Sequence, residues 1–281
     1  MKLLITGATG QIGSFLLRRL SNEEVKSVAA SRHPQSSRFD ERWIVCDLLN
    51  DDPFAKAGEV DVWVHAGSLT LILPWLESAE CAGVKRLIAF SSTSVFTKID
   101  SSSGAERKLI GSIREAEYAT AKSCKRLDIS WTIFRPTLIY GKGTDQNISF
   151  IMSMIRNFGF FPVAGDGFAL RQPVHADDLA QAVLGVLKKE KTFDRAYNLS
   201  GGETLAYRDM VERIFASLNK KPRIFCINPF LYKCVITMIR KILPRYAFVK
   251  TSMVDRMSRD MVFEHLDAKK DFDYSPRNFQ P

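Results

Sequence analysis

The sequence predicts an α/β protein, a doubly wound parallel sheet with a smaller C-terminal lobe. Three observations carry that expectation. Short, near-continuous apolar runs alternate with segments of helical period through the first half of the chain, as strands covered on both faces require. A glycine-spaced segment, Gly7-Ala8-Thr9-Gly10-Gln11-Ile12-Gly13, joins the first apolar run to the first helical one. The alternation breaks at Gly141.

The elements follow in order. Lys2 to Thr6 reads as a strand, and Ile12, Phe15, Leu16 and Leu20 keep helical spacing after it. Further strands are expected at Val28–Ala30, Trp43–Cys46, Val60–Val64, Leu87–Phe90 and Trp131–Phe134. Helices are expected over Pro74–Ala82, with Pro74 in its first turn and Gly83 ending it, and over Glu106–Leu127. Beyond Gly141, the stretches Ile148–Phe158, Asp177–Lys188, Thr204–Leu218 and Phe230–Leu243 read as helices, and Tyr197–Leu199 as a short strand. Residues 1–140 with 172–199 are thus expected to form the sheet domain, and 141–171 with 200–281 the lobe.

The chain has 281 residues, 46% of them hydrophobic and 25% charged. That composition belongs to a globular protein and excludes a disordered or collagen-like chain. Forty basic residues against thirty-one acidic ones give a net charge of +9, which fits an anionic partner (a phosphorylated ligand, nucleic acid or an anionic membrane surface) or simply a solvated basic surface. The partner expected from the chain as a whole is an anionic small molecule. Nucleic acid is not expected. Five cysteines show neither C-x-x-C pairing nor zinc-ligand spacing. With an N-terminal apolar run too short for a secretory leader, they suggest reduced thiols and a cytoplasmic setting.

The segment around 230–245 mixes apolar Phe230, Leu231, Val235, Ile236, Met238, Ile239 and Ile242 with basic Lys233, Arg240, Lys241 and Arg245. It reads either as a lobe helix with one face in the core or as a helix lying on an anionic membrane surface.

The chemistry begins at Gly7, Gly10 and Gly13. A turn between strand and helix needs glycine where the backbone bends tightly and approaches a pyrophosphate. The free N–H groups of the following helix then face the phosphates, with Thr9, Gln11 and Ile12 in the same turn. After the second strand the chain reads Ala30-Ser31-Arg32-His33. The acidic residue that would hold the ribose hydroxyls of NAD is missing, and Arg32 suits a 2′-phosphate. NADP is therefore the expected cofactor, with NAD as the alternative.

Later motifs add to this segment: Phe90-Ser91-Ser92, Phe134-Arg135-Pro136-Thr137-Leu138-Ile139-Tyr140-Gly141, Gly165-Asp166-Gly167 followed by Arg171, and Val174-His175-Ala176-Asp177-Asp178. In this order they resemble the extended short-chain dehydrogenase/reductase family of nucleotide-sugar epimerases and dehydratases, whose sheet domain is Rossmann-like. The resemblance spans nearly the whole chain. It implies that Asp47 and Leu48 hold the adenine, that Ala66 and Gly67 lie under the cofactor, and that Pro136 and Thr137 border the nicotinamide. It implies that Arg171 grips a substrate diphosphate. A surface ion pair is the other reading of Arg171.

The family's catalytic set is a Ser or Thr after the fifth strand and a Tyr-x-x-x-Lys on the next helix. Ser92 or Thr93 matches the hydroxyl. Tyr118-Ala119-Thr120-Ala121-Lys122 is a literal match to the pair. Two registers stay open. In one, Tyr118 moves the proton and Lys122 lowers its pKa. In the other, Leu109 and Ile113 occupy the Tyr and Lys positions and the acid/base is absent. The first makes the chain an NAD(P)-dependent oxidoreductase, epimerase or dehydratase acting on a nucleotide-sugar or similar anion. The second makes it a non-catalytic NAD(P)-binding protein, a redox sensor or assembly subunit. A homodimer is left open. His65 and His175, inside the motifs, are expected to be structural.

Overall fold

The computed structural model describes residues 1–23, 25–35, 41–145, 147–242 and 251–281. The chain runs through β1 (Lys2–Thr6), α1 (Gln11–Leu20), β2 (Lys26–Ser31), β3 (Arg42–Val45), α2 (Pro53–Ala57), β4 (Val62–His65), α3 (Leu76–Cys81), β5 (Arg86–Phe90), α4 (Ser94–Thr97), α5 (Gly104–Arg126) and β6 (Ser130–Pro136). Then come β7 (Ile139–Tyr140), α6 (Ile148–Phe158), β8 (Phe161–Ala164), β9 (Leu170–Arg171), β10 (Val174–His175), α7 (Ala176–Val186) and β11 (Arg195–Leu199). The last elements are β12 (Leu205–Ala206), α8 (Tyr207–Ser217), β13 (Ile224–Ile227), α9 (Pro229–Ile242), α10 (Thr251–Met257) and α11 (Leu266–Phe272).

Seven strands form one parallel sheet in the order β11-β6-β5-β4-β1-β2-β3. The chain winds outward from β1 to β3, returns to β4 and winds the other way. Such a reversal opens a crevice beyond the carboxyl ends of the strands, between β1 and β4. The period of two explains the two covered faces. Leu3 and Ile5 of β1 enter one core cluster with Leu16 of α1 and Leu179 and Val183 of α7. Leu4 enters the other with Phe54, Leu76 and Cys124.

The lobe has its own core. Ile151 and Ile155 of α6, Phe161 and Val163 of β8, and Met210, Ile214 and Phe215 of α8 pack together, joined by Tyr232 and Ile236 of α9.

Three expectations needed revision. The helix over Pro74–Ala82 starts as a 3-10 turn, Leu73–Trp75, before α3. Thr204–Leu218 opens with β12, because Leu205 pairs with Arg171 across an antiparallel bridge. Residues assigned to the lobe include α11, yet Ala268, Phe272 and Tyr274 pack into the cluster of the main sheet. Asp271 holds them there, accepting from the Tyr197 hydroxyl at 2.8 Å. The segment at 230–245 does form a helix, α9, and its Leu243, Pro244 and Arg245 lie outside the described residues.

Candidate functional site

The β1–α1 turn is built so that only glycine fits at positions 7 and 13. Gly7 has φ +76°, and a Cβ there would stand 2.8 Å from the Ala66 carbonyl carbon and 2.9 Å from the Gly67 nitrogen. A Cβ on Gly13 would stand 2.5 Å from the Gly7 carbonyl oxygen and 2.7 Å from the Ala8 Cα. Gly10 is less crowded, at 3.1 Å from the same oxygen. The turn closes with Gly10 N donating to Gly7 O at 3.0 Å. Gly10 is the N-cap of α1 and no side chain caps it, so the first N–H groups of the helix lack intrahelical partners. Ile12 anchors the turn in the core. Gln11 borders the crevice, and its Oε1 is buried without a hydrogen-bond partner. An uncapped helix start, a turn closed to a Cβ at Gly7 and Gly13 and an orphaned polar atom fit a bound dinucleotide.

The neighbouring strand ends shape the same crevice. Thr9 Oγ1 lies 3.1 Å from Ser31 Oγ, which also accepts from His33 N at 3.1 Å. Arg32, exposed, follows Ser31 directly. Asp47 accepts from Leu49 N at 3.2 Å, and the Leu48 carbonyl accepts from Trp75 Nε1 at 2.9 Å. These bonds fix the turn after β3. Ala66 N donates to Thr6 O at 2.9 Å, so Ala66 and Gly67 lie against the glycine turn.

A cleft of about 460 Å³ opens from Gln11 toward the lobe. Ser92, Thr93, Thr137 and Arg171 line it, together with Lys98, Asp145, Tyr207 and Arg256. Three basic side chains against Asp145 and the Glu106 that pairs with Arg256 leave one positive charge in excess, which suits an anion. Arg256 donates to both oxygens of buried Glu106 at 2.9 Å. Burial alone would push the Glu106 carboxyl up, but Ser101 and Arg256 hold it below the usual carboxylate range.

The two candidate hydroxyls differ. Thr93 Oγ1 donates to the Pro136 carbonyl at 3.1 Å, which spends its hydrogen. Ser92 Oγ accepts from Ser94 N at 3.1 Å, which leaves its O–H free to donate into the cleft. Thr137 donates its hydroxyl to the Gln172 carbonyl.

Tyr118 and Lys122 are not brought to these hydroxyls. Tyr118 is 72% exposed. It lines a separate hollow with Phe96, Arg114, Glu117, Trp131 and Arg135, which shares no residue with the cleft. Glu117 and Arg135 form a bidentate pair across that hollow, at 3.0 and 2.6 Å. The two registers were nine residues apart (118 − 109). At about 100° per residue they differ by half a turn, so they occupy opposite faces of α5. The tyrosine that does line the cleft is Tyr207. Burial pushes its phenol up to about 12, against the opposing pull of Arg171, so it is poorly suited to proton transfer at neutral pH.

Arg171 is buried and lines the cleft, but it is not a surface ion pair. Its terminal nitrogens donate to the carbonyls of Leu170, Arg256 and Arg259. Most of its fork thereby holds the lobe segment around Arg256. His65 and His175 are structural. His175 Nδ1 caps α7 by accepting from Asp177 N at 3.1 Å.

Sequence reasoning missed Lys142. Its Nζ donates to the Thr9 carbonyl at 2.7 Å and reaches the Gly10 carbonyl at 3.5 Å. Burial lowers its pKa. The only signal was its place directly after Tyr140-Gly141. Lys98 and Arg256 were missed because no motif marks them.

A model of the NAD dependent epimerase/dehydratase family matches residues 3–200. The chloroplast stem-loop binding protein of 41 kDa b from Arabidopsis thaliana is 26% identical over 73% of this chain, which spans only 60% of that relative's length. UDP-glucose 4-epimerase from Vibrio cholerae is 23% identical over 98% of this chain and 90% of its own. The structure of MoeE5 in complex with UDP-glucuronic acid and NAD superposes with a TM-score of 0.77 at 18% identity, over 99% of this chain and 95% of that one.

Proposed function

Because the chain belongs to the NAD dependent epimerase/dehydratase family, we propose that it holds a nicotinamide dinucleotide on the Gly7–Gly13 turn and an anionic, nucleotide-sugar-like ligand over Ser92. The observation that carries this reading is the turn itself, closed to any Cβ at Gly7 and Gly13 and opening into the cleft at Gln11. The similarity to UDP-glucose 4-epimerase supports the ligand class. When bound, the dinucleotide supplies hydride transfer. Ser92 donates its hydroxyl to a ligand oxygen, and the basic lining balances the ligand's phosphates. NADP is the preferred form, since Ser31-Arg32-His33 offers a cation and no carboxylate.

A second reading is favoured by the place of Tyr118: cofactor and ligand are bound without turnover. In the register that puts Leu109 and Ile113 in the motif positions, α5 supplies neither acid/base nor lysine.

Calorimetric titration tests the cofactor. NADP is expected to bind roughly tenfold more tightly than NAD, and Arg32→Ala should bring the two level. Tighter NAD binding unchanged by Arg32→Ala would refute the Arg32 assignment, and no binding of either would overturn the reading. Incubating the NADP- or NAD-bound protein with UDP-glucose and UDP-glucuronic acid separates the two readings. Turnover lost in Ser92→Ala supports an enzyme. Ligand binding without turnover, unaltered by Tyr118→Phe, supports the second.

A further inference from the structure

The lobe carries a surface that neither the sheet nor the cleft uses. Residues 213–254 contain no Asp or Glu and nine Lys or Arg, a charge equal to the net +9 of the whole chain. Helix α9 lies within this stretch. Tyr232 and Ile236 fix one side of it in the lobe core, and the Tyr232 hydroxyl donates to the Pro162 carbonyl at 3.1 Å. The other side is apolar as well. Phe230, Leu231, Val235 and Met238 stand 73%, 58%, 46% and 63% exposed, at spacings that share a helix face. Upstream, the exposed rings of Phe158, Phe160 and Phe225 form a chain with centroids 6.3 and 5.6 Å apart. Strand β13 carries Phe225 and leads into α9, where Asn228 Oδ1 accepts from Phe230 N at 2.9 Å.

Large apolar tips grouped on one surface mark a contact site. The charge around them selects the partner. An acid-free, basic stretch is complementary to an anionic surface and repels another copy of itself. A helix face is convex, and lipid accepts convex apolar tips without a matching groove. At 14 residues, α9 is shorter than the ~20 that span a bilayer, and among the described residues no helix is long and apolar enough to cross a membrane.

We propose that the α9 face of the lobe docks on an anionic lipid bilayer. Phe230, Leu231, Val235 and Met238 enter the interface. Lys233 on α9 is paired with Asp255 of α10, so the headgroups are held by the exposed Lys221 and Arg223 that lead into β13. A helix apolar on its outer side lies in the plane of the surface. The docking is independent of the cofactor, since it uses no residue of the cleft.

Co-sedimentation with phosphatidylserine-containing vesicles, alongside pure phosphatidylcholine vesicles, tests the proposal. The full chain is expected to pellet with the anionic vesicles, to stay in solution with the zwitterionic ones, and to be released by salt. Replacing Phe230, Leu231 and Met238 together by Ser should weaken binding on the order of tenfold or more. The tips are exposed, so the variant's melting temperature and dinucleotide affinity should match the parent's. No binding to anionic vesicles, equal binding to both kinds, or full binding by a variant with intact folding would each overturn it. So would sedimentation showing that these side chains join two copies of the chain.

Discussion

Thr6 donates its hydroxyl to Nδ1 of His65 across 2.8 Å, at the point where β1 and β4 flank the crevice. The direction of that bond follows from its neighbours. Trp63 Nε1 donates to Thr6 Oγ1 at 2.9 Å, and His65 Nε2 faces the Ser68 carbonyl at 2.9 Å. A carbonyl accepts only, so Nε2 carries the hydrogen and Nδ1 is bare. The pair locks the loop after β4 onto the strand that precedes the glycine turn.

This network makes stability pH-dependent. Burial pushes the His65 imidazole down to about 4, below its ordinary value near 6.5. The folded state favours the neutral ring, so this contribution is complete above about pH 6.5 and is lost as the pH falls toward 4. The loss should amount to about 3 kcal/mol. Urea unfolding between pH 7 and 4 checks it: a His65→Asn variant should start lower and fall less steeply. Parallel curves for the two proteins would contradict the assignment.

The glycines of the turn should rank by their crowding. Gly13→Ala pushes a Cβ into backbone on two sides, and backbone cannot yield as a side chain can. It should cost about 1–3 kcal/mol and remove dinucleotide binding. Gly10 meets its nearest neighbour at 3.1 Å and has φ −66°, which alanine adopts freely. Gly10→Ala should cost less than about 1 kcal/mol and keep measurable affinity. Melting curves and titrations of the two variants give the order, and the reverse order would contradict the geometry.

Lys142 should act on the cofactor as a charge. Its ammonium is held by the Thr9 and Gly10 carbonyls at the start of α1. Lys142→Met should weaken dinucleotide binding about tenfold at low salt and flatten its salt dependence. Lys142→Arg should retain most of that dependence. Were Lys142 only a tie between lobe and turn, the melting temperature would drop while the salt dependence stayed the same.

Much of the fold was legible because it rests on local patterns. The apolar runs at Lys2–Thr6, Leu87–Phe90 and Trp131–Phe134 had no polar face to expose, so they belonged in a covered sheet. The spacing of Gly7, Gly10 and Gly13 pointed to the close approach that their surroundings now explain. The least legible stretch was 266–274. Its apolar residues are few and short-spaced, and they found the main sheet through Asp271 and Tyr197, a pairing 74 residues long.

The candidate site divides the same way. The chain alone determined the strand order's ingredients, the glycine turn, the hydroxyls after β5 and the absence of a carboxylate after β2. Each depends on residues close together in sequence. Tertiary structure alone decided where the Tyr118 face of α5 sits. A Tyr-x-x-x-Lys spacing guarantees that two side chains share a face, but not what that face looks at, and in the fold Tyr118 borders an exposed hollow beside β6, apart from the cleft. It also decided that Arg171 is committed to backbone carbonyls and that Lys142 reaches back across 133 residues to Thr9. Hydrogen bonds of that span are set by how two folded units close on each other, and no local pattern of residues encodes them.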